Sequence, residues 1–302
     1  MTPASGHGAV QGGELAAGYA ALTDGAGWVE LGRDVVRVSG PDAVSYLQGQ
    51  MSQDIDGLAV GASAWSLVLQ PQGKIDAWVR VTRVATDEAL LDIDGGFGEA
   101  LLARLQRFKL RTKADLEPLA WRCIAVRGAG ADAVTADGAG GALVVPFEWA
   151  NWRGVDLLGE DPQPPAGTVA ADPAAYEVRR IEAGLPLMGA ELTERTIPAE
   201  AGVVEASVSF TKGCYTGQEL VARIDSRGSN VPRRLRGLVM DGAAPVGTPV
   251  EASGRGVGTL TSAARHPDGH GVALAYISRD VEPPADVECG GMAASVRALP
   301  LV

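Results

Sequence analysis

The chain has few reactive side chains. Its 302 residues include three cysteines and three histidines, and its only lysines are Lys74, Lys109, Lys113 and Lys212. Cys123, Cys214 and Cys289 are odd in number and far apart, which argues against a disulfide framework and for a reducing compartment. No C-x-x-C pair occurs, so the standard ligand sets for zinc or an iron–sulfur cluster are missing, and no metal is expected. No run approaches the ~18 apolar residues of a membrane span. The first basic residue is Arg33 and no apolar block precedes it, so neither a secretory nor a transit segment is expected and cytoplasm is the simplest location. A net charge of −11 leaves little clustered basic surface for phosphates, so no stable nucleic-acid binding is expected. The Walker A pattern and G-x-G-x-x-G are both absent, which removes the commonest nucleotide folds.

What is present is an ordinary core-forming composition, 46% hydrophobic and 21% charged, long enough for about two domains. Residues 1–27, rich in Gly and Ala, are expected to form a mobile leader. "VSGPDAVSYLQGQM" predicts a helix with Ser39 as its cap and Pro41 in its first turn. "WSLVLQPQGKIDAWVRVTR" predicts a hairpin turning at Gln70-Pro71-Gln72-Gly73. Beyond the turn, Asp76, Trp78 and Arg80 share one face of the second strand, either solvated or turned to a ligand. "EALLARLQRFK" places Leu101, Leu105 and Phe108 on one helical stripe, and residues 127–142 read as a variable loop. A further helix is capped by Asp172, has Pro173 in its first turn and stops at Gly184. From about residue 231, short strands punctuated by Gly and Pro predict a small antiparallel barrel.

The densest chemistry lies in "SFTKGCYTGQELVARIDSRG", residues 209–228. Gly213 and Gly217 bracket Cys214 and Tyr215 in a glycine-permitted turn. Lys212 and Arg223 would make the Cys214 thiol more reactive if folding brings them near it. The plain alternative is that Cys214 is a small packing residue and that Glu219, Arg223 and Asp225 form a local ion-pair set; composition and spacing leave both open. His266 and His270 in "HPDGH" read as a surface loop rather than a metal site, because Pro267 and Gly269 break helical spacing and no third ligand is close in sequence.

"KGCYTGQELVAR", Lys212 to Arg223, resembles the signature of the YgfZ-type folate-binding proteins, relatives of the glycine-cleavage T-protein (aminomethyltransferase). "PQGK", "FKLRTKADLE", "RIEAGLPLMGAELTERTIPAEAG", "GTLTSAA" and "GVALAYISR" resemble further segments of that family, in order, over most of residues 35–280. The resemblance implies an α+β fold. Two interleaved α/β subdomains (residues 28–230) would surround a central cavity, followed by a C-terminal antiparallel β-barrel (residues 231–302).

It also implies tetrahydrofolate or a derivative as the cofactor. Glu182 of "RIEAG" would be the carboxylate that accepts the two adjacent N–H groups of a pteridine edge. Asp76 would be the group handling charge at the folate nitrogen, although the T-protein relatives carry an Asp-Asp pair where this chain has Asp76-Ala77. Arg223, Tyr215 and the cluster Arg104, Arg107, Lys109, Arg111 and Lys113 are the candidates for meeting the rest of the ligand and its anionic tail. The signature loop would comprise Lys212, Gly213, Cys214, Tyr215, Gly217, Gln218, Glu219 and Arg223, and would lie beside the cavity. Two functions are compatible with these implications. One is a tetrahydrofolate-binding accessory protein that supports iron–sulfur cluster assembly or repair in client enzymes, tRNA-modifying ones included, with Cys214 as its distinctive group. The other is a folate-dependent one-carbon transferase, with Asp76 as its general acid/base or electrostatic group and Glu182 as the pterin anchor. The single carboxylate at Asp76 favours the accessory role.

Overall fold

Strands β1 (Gly27–Leu31) and β2 (Arg33–Ser39) follow each other directly yet enter different sheets, and this divergence organises the fold. The computed structural model describes residues 12–134, 139–228 and 230–302. Strand β2 joins β3 (Ser63–Leu69), β4 (Ile75–Ala85), β5 (Glu88–Asp94) and β6 (Asp115–Leu119) in a sheet of order β3-β4-β5-β2-β6. Strand β1 joins β7 (Arg122–Arg127), β8 (Leu143–Trp149), β9 (Trp152–Gly159) and β10 (Val169–Ala170) in a second sheet, β10-β1-β7-β9-β8. The second sheet therefore takes strands from both sides of the segment that builds the first, so the two subdomains interleave. Strands β11 (Arg233–Met240), β12 (Pro249–Ala252), β13 (Arg255–Arg265), β14 (Gly271–Ser278), β15 (Ala285–Cys289) and β16 (Met292–Arg297) close into an antiparallel barrel. Strand β15, "ADVEC", is short and alternates buried with exposed positions between turns, ending on the buried Cys289.

The helices correct several expectations. Helix α1 (Gly12–Thr23) occupies much of the stretch expected to be a mobile leader, and Leu22 at its end is fully buried. Trp152 donates its indole N–H to the Leu22 carbonyl at 3.1 Å, tying that helix to the second sheet. Residues 1–11 lie outside the described residues. Helix α2 (Ala43–Gln50) begins at Asp42, so Ser39 is the last residue of β2 rather than a cap, and Pro41 precedes the helix. In α3 (Gly98–Phe108), Leu101 and Leu105 are buried as the stripe predicts, but Phe108 is 42% exposed and lies under the Arg104 guanidinium at 3.9 Å. Helix α4 (Pro173–Ala183) follows the expected punctuation: Asp172 accepts from the Ala174 N–H and Gly184 closes it at φ +69°. Three short helices follow: α5 (Pro198–Ala201), α6 (Val204–Ser207) and α7 (Gln218–Ser226). No described helix is long and apolar enough to cross a membrane.

The space between the two five-stranded sheets holds a charged network. Arg80 on β4 stands opposite Asp92 on β5 in the ladder and binds it at 3.0 Å. Arg33 on β2 engages Asp92 and Asp94 from the same side. Arg80 then reaches across to Asp156 on β9 at 2.7 Å, where Arg127 on β7 also binds at 2.7 Å. Three guanidinium groups thus meet three carboxylates, so the network is neutral. Burial would raise the pKa of Asp156, but Arg127 and Arg80 outweigh it and bring it down to about 2.

Because that value lies below the ordinary 3.8, the Asp156 contribution is intact above about pH 4 and disappears as pH falls toward 2, about 2 kcal/mol in all. Urea unfolding at pH 7, 4 and 2.5 measures it. Asp156→Ala, which leaves Arg80 and Arg127 without this shared partner, is expected to cost about 3–5 kcal/mol at pH 7. Asp161→Ala, on an exposed ion pair, should cost under about 1 kcal/mol.

Candidate functional site

A cavity of about 380 Å³ opens beside the charged network, between the sheets and the N-terminal half of α4. Its walls are flat and aromatic. Trp65 and Trp78 stack at 4.1 Å with 15° between their planes, and Phe147 and Tyr176 line the same space. Trp78 is fixed from behind by its indole N–H, which donates to Ser207 Oγ at 2.9 Å. This settles the open question about the second face of β4: at Trp78 it faces the cavity. Helix α4 contributes Tyr176, Glu177 and Arg180, and the segment after it contributes Leu185 to Met188.

Three carboxylates line the cavity, and each is already held. Asp94 accepts from Arg33 and from the Met188 N–H, the latter at 2.9 Å. Asp156 lies between Arg80 and Arg127. Glu177 is gripped by Arg180 through both oxygens, with Nε at 2.7 Å from Oε2. Such a cavity can accept hydrogen bonds from a planar ligand. It has no unpaired carboxylate ready to move a proton.

The sequence candidates fall into three other places. Glu182 is buried but does not line the cavity. It accepts from Tyr19 Oη at 3.0 and 3.2 Å and from Arg179 at 2.7 Å, and His266 Nε2 stands 3.5 Å away. Burial, then the Glu182 charge, raises the Tyr19 hydroxyl to about 12, and burial lowers the His266 pKa. Glu177 precedes Glu182 by five residues, which turns it about 140° around the helix and puts it at the cavity instead. The helical period thus puts Glu177 at this cavity and the expected Glu182 on another face of the same helix. Asp76 lies at the start of β4, bound to Arg104 Nε at 3.0 Å and outside the lining. Arg104 is thus partnered by Asp76, and the Lys109 ammonium donates to the Ala114 carbonyl. Arg107, Arg111 and Lys113 are exposed, and none of them lines the cavity.

The signature loop also sits away from the cavity, since no residue of 209–228 lines it. The loop docks on the outer end of the β3–β4 hairpin. That turn forms as the sequence predicts, with the Gly73 N–H bonded to the Gln70 carbonyl at 2.8 Å. Gly217 adopts φ +82°, and a Cβ there would meet the Gln70 carbonyl at 2.6 Å; a Cβ on Gly73 would meet Leu220 at 2.7 Å. The two glycines therefore allow loop and turn to touch. Lys212 is the second clamp. Its ammonium donates to the carbonyls of Gln48, Met51 and Gln53 at 2.5, 2.7 and 3.0 Å, and burial lowers its pKa to about 8. With all three donors used, Lys212 has no N–H left for a thiolate at Cys214. Tyr215 is buried with the Lys212 ammonium 5.3 Å over its ring, and burial raises its hydroxyl to about 12. Cys214, Glu219 and Arg223 are exposed, whereas Cys123 and Cys289 are buried.

The fold is that of glycine cleavage system aminomethyltransferase T from Bartonella henselae, with a TM-score of 0.80, 23% identity, and coverage of 95% of this chain and 89% of that one. No family model matches the chain. In sequence it is 31% identical to an uncharacterized Haemophilus influenzae protein, over 76% of this chain and 81% of that one. It is 29% identical to the tRNA-modifying protein YgfZ of Edwardsiella ictaluri, over 83% of each. It is also 30% identical to a mitochondrial iron–sulfur cluster assembly factor IBA57 homolog of Pyricularia oryzae, over 65% of this chain and 53% of that one. The chain is thus related to the YgfZ-type proteins and to the T-protein aminomethyltransferases.

Gly217→Ala is expected to destabilise the protein by about 1–3 kcal/mol, because the added methyl meets backbone at a positive φ. Lys212→Met should cost about 1–3 kcal/mol by leaving carbonyls without a donor. Cys214→Ser, at an exposed position, should change stability by less than about 0.5 kcal/mol. Denaturant unfolding of the three variants checks all of this.

Proposed function

We propose that this protein binds a reduced folate, tetrahydrofolate or a derivative, in the cavity between its sheets. In this reading it acts as a cytoplasmic accessory factor supporting iron–sulfur cluster assembly or repair in client enzymes, including those that modify tRNA. The observation that carries the proposal is the cavity itself: flat aromatic walls that suit a pterin ring, beside carboxylates all committed to arginines. Glu177 is the acceptor for the pterin edge, because Arg180 occupies only part of its lone-pair capacity. Folate bound there is held rather than turned over, which separates this reading from one-carbon transfer. The names of the YgfZ and IBA57 relatives support the iron–sulfur and tRNA side of the proposal. Cys214 and its neighbours, displayed on a loop fixed by Lys212 and Gly217, form the surface offered to clients. The thiol then acts through its exposure and position, without a lysine to activate it.

Calorimetric titration of tetrahydrofolate under anaerobic, reducing conditions tests the cavity. The wild type is expected to bind, Glu177→Gln to bind at least ten times more weakly, and Cys214→Ser to bind as the wild type does. Cys214→Ser should instead fail to restore client iron–sulfur enzyme activity in cells lacking the wild-type protein. No binding by the wild type sinks the folate reading. Turnover of a one-carbon folate that is lost in Asp76→Asn would move the protein to the transferase class.

A further inference from the structure

The turn between β13 and β14 brings together side chains that the sequence spacing gave no reason to join. His266 and His270 stack with ring centroids 4.3 Å apart, and donor atoms of His266, Asp268 and His270 all lie within 4.8 Å of one another. The backbone fixes this arrangement. The His266 N–H binds the His270 carbonyl at 2.8 Å, the Gly269 N–H binds the His266 carbonyl at 2.8 Å, and Gly269 takes φ +96° to close the turn. The break in helical spacing that argued against a metal is therefore what folds the three donors onto one side.

A second observation comes from the opposite edge of the His266 ring. Its Nε2 points to Glu182 Oε1 at 3.5 Å, while Nδ1 faces the turn, 3.4 Å from Asp268 Oδ2. Glu182 is buried and held by Tyr19 and Arg179. A metal-bound histidine characteristically gives its other ring N–H to a carboxylate, which fixes the tautomer and the ring plane. His266 Nε2 faces Glu182 at 3.5 Å, a separation that a small movement of the ring would close to such a bond, and Tyr19 packs edge-on against the ring at 4.8 Å.

We infer that His266 Nδ1, His270 and Asp268 form a binding site for a borderline divalent cation of the zinc type, with Glu182 as the positioning residue behind His266. Two imidazoles and one carboxylate suit Zn²⁺ better than Mg²⁺ or Ca²⁺, which want oxygen donors. Binding exchanges the 3.1 Å hydrogen bond from the Asp268 N–H to His266 Nδ1 for coordination, and turns His270 out of the stack so that the lone pairs converge. Three protein ligands leave a coordination position open on the barrel surface. This site is separate from the folate cavity, because none of its three ligands lines that cavity.

Zinc chloride titrated by calorimetry into the full chain after chelator treatment tests the assignment. One Zn²⁺ per chain is expected, with affinity unchanged in Cys214→Ser and at least tenfold weaker in His270→Ala. Glu182→Gln should weaken binding about 10–100-fold while leaving the stoichiometry unchanged. The chain has only three histidines, His7, His266 and His270, so ring ¹H–¹⁵N spectra resolve which nitrogens respond. Shifts of His266 and His270 support the site. The assignment is overturned if the wild type binds no zinc, if binding survives His270→Ala, or if it is lost in Cys214→Ser. Should Glu182→Gln fail to fold by circular dichroism, His270→Ala on the half-buried turn decides alone.

Discussion

The contact between Arg80 and Asp156 at 2.7 Å is the charged link between the two five-stranded sheets, and much of the molecule is arranged around it. Each of these groups would be costly to bury alone. Arg80 is acceptable between the sheets because Asp92 faces it across the ladder, and Asp156 because Arg127 shares it. Arg33 completes the set by taking Asp92 and Asp94. The same charges that join the sheets also hold a space open beside them, since a guanidinium–carboxylate network cannot collapse as a purely apolar core can. Trp65 and Trp78 roof that space, with the Arg80 guanidinium 5.6 Å from the Trp65 ring. Cohesion and cavity are two results of one neutral cluster.

Much of the fold was legible in the sequence because it is written in local punctuation. Asp172, Pro173 and Gly184 mark α4 from its cap to its left-handed stop, and Pro71 with Gly73 marks the hairpin. Phe108 shows the limit of periodicity. It continues the stripe of Leu101 and Leu105, yet it lies at the last turn of α3, where the core ends and two arginines cover the ring. Helix α1 was missed because its Gly- and Ala-rich sequence carries a weak amphipathic signal, while its order comes from packing on α4 and from the bond that Trp152 makes 130 residues later.

The site was less legible, because a motif identifies residues without saying which way they face. The signature segment is dense in chemistry, but several of its members are structural: Lys212 closes a ring of carbonyls, Gly217 permits contact with the hairpin, and Tyr215 is buried. Glu182 lies in the quoted family segment, yet its helical position turns it toward Tyr19, Arg179 and His266. The cavity carboxylates come instead from strands β5 and β9 and from an earlier turn of α4. Charged residues inside otherwise apolar strands, as in "LLDID" and "GVDLLG", were the available sign of an internal network.

The β3–β4 hairpin gives the architecture a mechanical property. At one level its strands carry Trp65 and Trp78 into the cavity wall; at its tip, Gln70 and Gly73 form the seat on which Gly217 and Leu220 rest. Both features are mounted on one antiparallel ribbon, paired regularly from Ser63 with Thr82 to Val68 with Ala77, after which a register shift before Leu69 leaves Asp76 as an extra residue next to the turn. The tryptophan pair and the loop seat consequently share one frame of reference. A tilt of the ribbon displaces both together, and the bulge at Asp76 is the point at which the seat can bend against the tryptophan pair.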